Sequence, residues 1–223
     1  MKSEEKVKKY FENGAENFDR IYDWIYGSDD KSLKLLVNKI FRKGMIARFK
    51  QVLEECEPDK NILDIGCGSG RIDLALAKKG ANIIGIDYSK QMIELANKYL
   101  NKYQNERNIT LNVKFLHKNF MKNYRNKELF DITLAIGVFD YIKEPIPFLK
   151  KMRNLSKEKI IASYPAKFTF QMPIRTVWLW TKRCPVYFYT KYQIKSMYES
   201  INLFNYEIVK IPAGYIVKAY KNN

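Results

Sequence analysis

The residue types best suited to chemistry in this 223-residue chain lie in one stretch, Asn61 to Asp87, NILDIGCGSGRIDLALAKKGANIIGID. Ile62, Leu63 and Ile65 form a short apolar run that reads as a buried parallel strand. Gly66, Gly68 and Gly70 break it, and Ile72, Leu74, Ala75, Leu76 and Ala77 continue with helical spacing as far as Gly80. A second apolar run, Ile83 to Ile86, ends on Asp87, so the stretch is one βαβ unit. Glycines at the C-terminal edge of the first strand let a ligand approach the backbone closely. A carboxylate at the tip of the second can accept hydrogen bonds from both hydroxyls of a ribose. The dinucleotide fingerprint G-x-G-x-x-G fails here, because from Gly66 it puts Arg71 where the third glycine belongs.

The pattern present is D-x-G-x-G-x-G, with Asp64 inside the strand. It resembles motif I of the class I methyltransferases that use S-adenosyl-L-methionine (SAM). SAM is a cation without a pyrophosphate, so it needs an acid near its amino acid moiety more than a bare helix N-terminus, and Asp64 is such an acid. The resemblance continues at Val113 to Leu116, a strand followed by His117-Lys118-Asn119-Phe120. There the family usually has an acid that accepts from the adenine amino group. Asn119 replaces it here with a carboxamide oxygen that can still accept, and the N–H of Phe120 can serve the ring nitrogen. Phe130 to Tyr141 is similar to the family's fourth strand and the segment bordering the methyl donor. These motifs cover about residues 60 to 165 and are silent about the methyl acceptor.

The resemblance assigns cofactor contacts to Asp64, Gly66, Cys67, Gly68, Gly70, Asp87, Tyr88, Met92, Asn119, Phe120 and Ile136. A looser similarity in FDRIYDWIYG, Arg42-Lys43-Gly44, IASYPAKFTF, PIR and CPVYFY is to small bacterial methyltransferases distantly related to the magnesium-protoporphyrin O-methyltransferases. It adds Arg42 to the cofactor residues and carries over the reaction class, without the tetrapyrrole.

Alternating elements must position these residues. Helices are expected from the N-terminus to about residue 57, the longest from Ser32 to Cys56. After the βαβ unit come a helix from about Ser89 to Tyr103, strands at 113–117 and 130–137, a helix at 146–155 and a strand at 159–164. Thr190 caps a helix to about Ile201, and strands Tyr206–Ile211 and Tyr215–Tyr220 are close enough to be antiparallel. Alternation implies a parallel sheet. The fold class expected is α/β, a Rossmann-like class I methyltransferase fold with a seven-stranded, mostly parallel sheet, a C-terminal antiparallel hairpin and an N-terminal helical cap. One domain is expected: cap 1–57, SAM-binding core 58–165, substrate-covering insertion 166–189, and C-terminal helix and hairpin 190–223.

Methyl transfer from a sulfonium needs alignment and exclusion of water, and a base only when the nucleophile must lose a proton. Asp140, after the fourth strand, is the candidate base or substrate orienter, and Tyr141 a wall near the methyl group. Asp140 equally suits a helix cap. His117, the only histidine, reads as structural. Ligands bind outside the C-terminal strand edges of such sheets, so the aromatic segment Pro165 to Tyr189 is the candidate acceptor pocket. Tyr22, Tyr26, Tyr164, Arg175 and Tyr187 are its candidate substrate residues, with Arg175 suited to a carboxylate or phosphate. A helix that merely covers the sheet and a membrane-surface patch are the alternatives for that segment.

Forty Lys plus Arg against 24 Asp plus Glu give a formal charge of +16, which would attract RNA, anionic lipid or an acidic metabolite. The lysines are scattered along the chain without a basic run, so nucleic acid is not the expected partner. The three cysteines form no C-x-x-C pair, which argues against a disulfide framework or a zinc site. The N-terminus is charged from the start and no apolar run approaches a membrane span, predicting a cytoplasmic protein. The function expected is methyl transfer from SAM to a small-molecule acceptor, acidic or aromatic. An RNA methyltransferase and a noncatalytic SAM-binding partner subunit are the alternatives.

Overall fold

The structure, a computed structural model, describes residues 5–8, 12, 34–126, 128–167, 185–212 and 214–221. Helix α1 (Lys34–Glu55) leads into β1 (Asn61–Ile65), α2 (Arg71–Lys78), β2 (Asn82–Asp87), α3 (Lys90–Arg107) and β3 (Val113–His117). Then come β4 (Phe130–Ala135), a 3-10 turn (Phe139–Tyr141), α4 (Pro145–Leu155), β5 (Ser156–Pro165), α5 (Lys191–Ser200), β6 (Tyr206–Ile211) and β7 (Gly214–Tyr220). The sheet has seven strands in the order β3-β2-β1-β4-β5-β7-β6. Strands β1 to β5 are parallel, and β7 runs antiparallel to both of its neighbours. The chain winds outward from β1 to β3 and then returns to β4 on the other side of β1. The switch point therefore lies between the C-terminal tips of β1 and β4.

Strands β1 and β4 are buried almost throughout because helices cover both faces. Successive residues of β1 feed different cores, as the period of two requires: Leu63 and Ile65 pack with Phe139, Phe148 and Tyr198, whereas Ile62 packs with Val52, Leu76 and Ile132. At the opposite strand ends, Asn112 donates to Asn82 and Asn82 to Asn61, whose own amide donates to Asp131 Oδ2 at 3.2 Å. Helix α1 is pinned at its C-terminal end, where Glu55 accepts from Lys218 at 2.8 Å and Lys159 at 2.9 Å.

Caps set the helix starts. Ser89 Oγ accepts from Met92 N–H at 3.4 Å, and Thr190 with Gln193 completes a capping box. Strand β4 ends two residues earlier than its apolar run, because Gly137 takes φ 77° and donates its N–H to Ser163 Oγ at 2.8 Å. Helix α3 extends a turn past Tyr103, to Arg107, where Asn108 closes it in the left-handed region. No helix among the described residues is long and apolar enough to cross a membrane.

Candidate active site

The glycine turn is held to β2 by two hydrogen bonds, from Gly66 N–H and Cys67 N–H to Ile86 O at 2.7 and 3.1 Å. Its glycines serve different ends. A Cβ on Gly70 would meet Phe115 Cζ at 2.4 Å, so that position is glycine for packing. Gly68, at φ +56°, has nothing within 4 Å of where a Cβ would stand, leaving an open cradle above the backbone. The N–H of Gly68 donates to Asp87 Oδ2 at 3.0 Å, and Ser89 N–H donates to Oδ1 at 2.8 Å. Asp87 is thus fixed by backbone with acceptor capacity to spare. Burial raises its carboxyl to about 6, against the lowering effect of the Ser89 and Gly68 donors.

Asp64 is 3% exposed, and its Oδ1 has no hydrogen-bond partner. Burial first, and the Asp87 charge second, raise its carboxyl to about 7. Against it lies Asp73 from the first turn of α2, fully buried and with neither carboxyl oxygen met by a donor. Burial and Asp64 push the Asp73 carboxyl well up. The same burial, with Asp73, Asp87 and Asp64 around it, keeps the Cys67 thiol neutral. The sequence pattern does not single out Asp73. Its signal is an acid inside the apolar stripe Ile72 to Ala77.

Arg48 is the second residue the motifs miss. Its Nε and Nη2 are buried without partners, and Nη1 lies 3.6 Å from where a Cβ on Gly137 would stand. The guanidinium therefore sits at the turn leaving β4. Its signal is the i, i+4 spacing from the buried Val52. The similarity named Arg42 instead, which lies in α1 with its side chain outside the described residues. Tyr22, Tyr26 and Arg175 are also outside them.

Asp140 is buried in the 3-10 turn after β4, and its carbonyl accepts from Tyr187 N–H at 2.8 Å. The exit of β4 is thereby tied to the segment entering α5. Tyr141 is half-buried, and Val7, 5% exposed, packs on Tyr88, Tyr141 and Val186. The described N-terminal residues thus lie over the tips of β2 and β4. Met92 is buried behind the tip of β2, and Ile136 is half-buried.

Two expectations are corrected. Tyr164 does not wall an acceptor pocket: it is fully buried, its hydroxyl 3.1 Å from that of Tyr198 and its ring 4.5 Å from Phe139. The end of β5 points into the core because β5 lies inside the sheet, between β4 and β7. Asn119 Oδ1 already accepts from Met121 N–H and Lys122 N–H, both at 3.0 Å, so both its lone pairs are used in a turn. What Asn119 can still offer a base is its NH2. The adjacent Phe120 is buried, and the Lys151 ammonium holds this loop through the carbonyls of Phe120 and Tyr124. His117 Nε2 lies 3.0 Å from Tyr88 O, tying β3 to the tip of β2, in keeping with a structural role.

A glycine cradle flanked by buried acids, at the switch point of a seven-stranded sheet closed by an antiparallel strand, is the arrangement of the class I methyltransferase fold. Residues 57–178 match the family described as "Methyltransferase domain", and the chain belongs to that family. Over its whole length it is similar in fold to the magnesium protoporphyrin IX methyltransferase of Synechocystis PCC 6803, crystallised with bound SAH. The TM-score is 0.76 at 19% identity, covering 99% of this chain and 100% of that one. It is 29% identical over 98 residues to the ubiquinone biosynthesis O-methyltransferase of Coxiella burnetii, covering 44% of this chain and 39% of that protein. It is 32% identical over 131 residues to the malonyl-[acyl-carrier protein] O-methyltransferase of Halalkalibacterium halodurans, covering 54% of this chain and 45% of the other. The chain thus spans less than half the length of these two relatives.

Proposed function

We propose that this chain transfers a methyl group from SAM to a small-molecule acceptor. The observation that carries this reading is the Asp87 carboxylate, bonded to Gly68 N–H at the rim of an open glycine cradle. The residues present fit SAM at each of its polar groups. Asp87 has lone pairs left for the ribose hydroxyls, the orphaned Asp64 Oδ1 suits the ammonium, and the unpartnered Arg48 guanidinium suits the carboxylate. Bound SAM supplies an electrophilic methyl carbon on a sulfonium. The protein's part is to align, enclose and deprotonate.

Alignment comes from the Gly66–Gly70 turn and Asp87, both fixed by backbone hydrogen bonds. Enclosure comes from Val7 against Tyr88, Tyr141 and Val186, which keeps water from the strand tips. Asp140, at the exit of β4, is the group placed to take a proton from an acidic or aromatic acceptor, with Tyr141 beside it. Tyr187, bonded to the Asp140 carbonyl, brings residues 185–189 to the same edge, and Arg175, outside the described residues, is the candidate to meet a negatively charged acceptor. The two curated relatives carry names of small-molecule and carrier-bound O-methyltransferases, and an oxygen nucleophile is the acceptor we favour.

The test is calorimetric titration with SAM, followed by transfer of labelled methyl to a panel of phenols and carboxylic acids. Binding together with label on a small molecule is expected. Label appearing only on RNA would overturn the acceptor class, and absence of SAM binding would overturn the site.

A further inference from the structure

Asp73 has no part in the methyl transfer described above, yet it is the most completely buried acid beside the cofactor cradle. Its carboxyl comes from α2 and lies against that of Asp64 from β1, close enough for the two to share a hydrogen bond when one of them holds a proton. Among the described residues no cation pairs with either. Arg71, two residues before Asp73, turns onto the Tyr99 ring, 4.7 Å from its centroid. The other groups facing the pair carry no positive charge. They are Asp87 at the tip of β2 and the neutral thiols Cys67 in the turn and Cys56 after α1. Two carboxylates in contact, buried and without a counter-charge, cannot both be ionised. One proton stays between them until a cation arrives. The orphaned Oδ1 of Asp64 is where that cation can be met.

We propose that Asp73 is a positioning residue that shares one proton with Asp64, and that the SAM ammonium, on reaching Asp64, expels this proton to solvent, linking cofactor affinity to pH through Asp73. The proposal rests on the assignment of SAM to this cradle. Before binding, the shared proton holds Asp64 in one orientation. After binding, both carboxylates face the ammonium, Asp64 directly and Asp73 through Asp64.

Calorimetric titration of the full chain with SAM at pH 7, in two buffers of different ionisation enthalpy, counts the protons released. The wild type should release roughly one proton through this pair. Asp73→Asn donates a similar hydrogen bond from its amide and has no proton to lose, so its release should fall by more than half. Between pH 6 and 8 the wild-type Kd should tighten about tenfold more than that of Asp73→Asn. Protonation of Asp87 contributes equally to both proteins and cancels in the comparison. Equal proton release by the two proteins, or none from the wild type, would overturn the proposal. The wild-type count stands even if Asp73→Asn folds poorly, and Asp73→Ser then serves as the second variant. A wild type that does not bind SAM at any pH would instead remove the cofactor assignment, and the proposal with it.

Discussion

Replacing Asp87 by asparagine tests the centre of the proposed site. The carboxylate offers about four lone pairs. Gly68 N–H at 3.0 Å, Ser89 N–H at 2.8 Å and the neighbouring Tyr88 N–H engage part of this capacity, leaving the remainder for the ribose. Asparagine keeps one acceptor oxygen and turns an NH2 toward one of these backbone donors. Either the Gly68 turn loses its anchor or a ribose hydroxyl loses its acceptor, and the charge is gone in both cases. A hydrogen bond to a charged acceptor contributes about 1.5 to 3 kcal/mol, so SAM binding should weaken roughly tenfold to a hundredfold. Calorimetry at pH 7.5 measures this, with thermal unfolding as the control for the turn. Because the wild-type carboxyl titrates at about 6, acidification through that value should weaken wild-type binding and leave the variant less affected. A variant Kd within twofold of wild type, with an unchanged Tm, would refute the assignment of Asp87 to the ribose.

Gly68→Ala places a methyl group in the open cradle at φ +56°, at a cost of about 1 to 2 kcal/mol for the backbone. Both Tm and SAM affinity should fall, and unchanged affinity would mean that the cradle is not the cofactor surface. Glu55→Gln leaves Lys218, 6% exposed, without its nearest carboxylate. Denaturant unfolding should show a loss of about 1 to 3 kcal/mol, discounted for the partial exposure of Glu55, and no loss would mean that the pair does not fasten α1. Asp64 has a folded-state carboxyl raised to about 7, so the native state binds more protons than the unfolded chain between the ordinary carboxylate range, about 4, and that value. Stability of the ligand-free protein should therefore fall as pH rises across this window. Asp64→Asn should flatten the fall between about pH 4 and 7, and an identical slope in the two proteins would refute it.

Most of the sheet is legible in the sequence because its strands are short apolar runs, the first ending before Gly66 and the second on Asp87, and two helices carry their caps, Ser89 and Thr190, in the chain. The cofactor cradle is legible for the same reason: Asp64, the glycines and Asp87 are neighbours within one βαβ unit. What escapes is whatever depends on distant segments meeting. Arg48 comes to the turn after β4 only because α1 packs across the sheet, and the core placement of Tyr164 follows from β5 lying inside it. Asn119 is displaced by a local competitor, since its oxygen is closer to the N–H groups of its own turn than to any ligand. Asp73 is hidden differently, as an acid whose helical position marks it for the core while its charge argues for the surface.

The placement of β7 between β5 and β6 has a consequence for how the protein is made. Strand β5 pairs with β7 from Lys159–Tyr220 to Pro165–Gly214, so one edge of β5 remains open through synthesis of residues 166–213. During that interval β1 to β5 present an unpaired parallel edge, a template for another nascent chain. Strand β6 appears before β7 but has no direct partner in the rest of the sheet, so it must wait for β7 as well. The site's own strands are complete long before the sheet can close. Inclusion bodies on fast expression, relieved by slowing synthesis, are the practical expectation of this strand order.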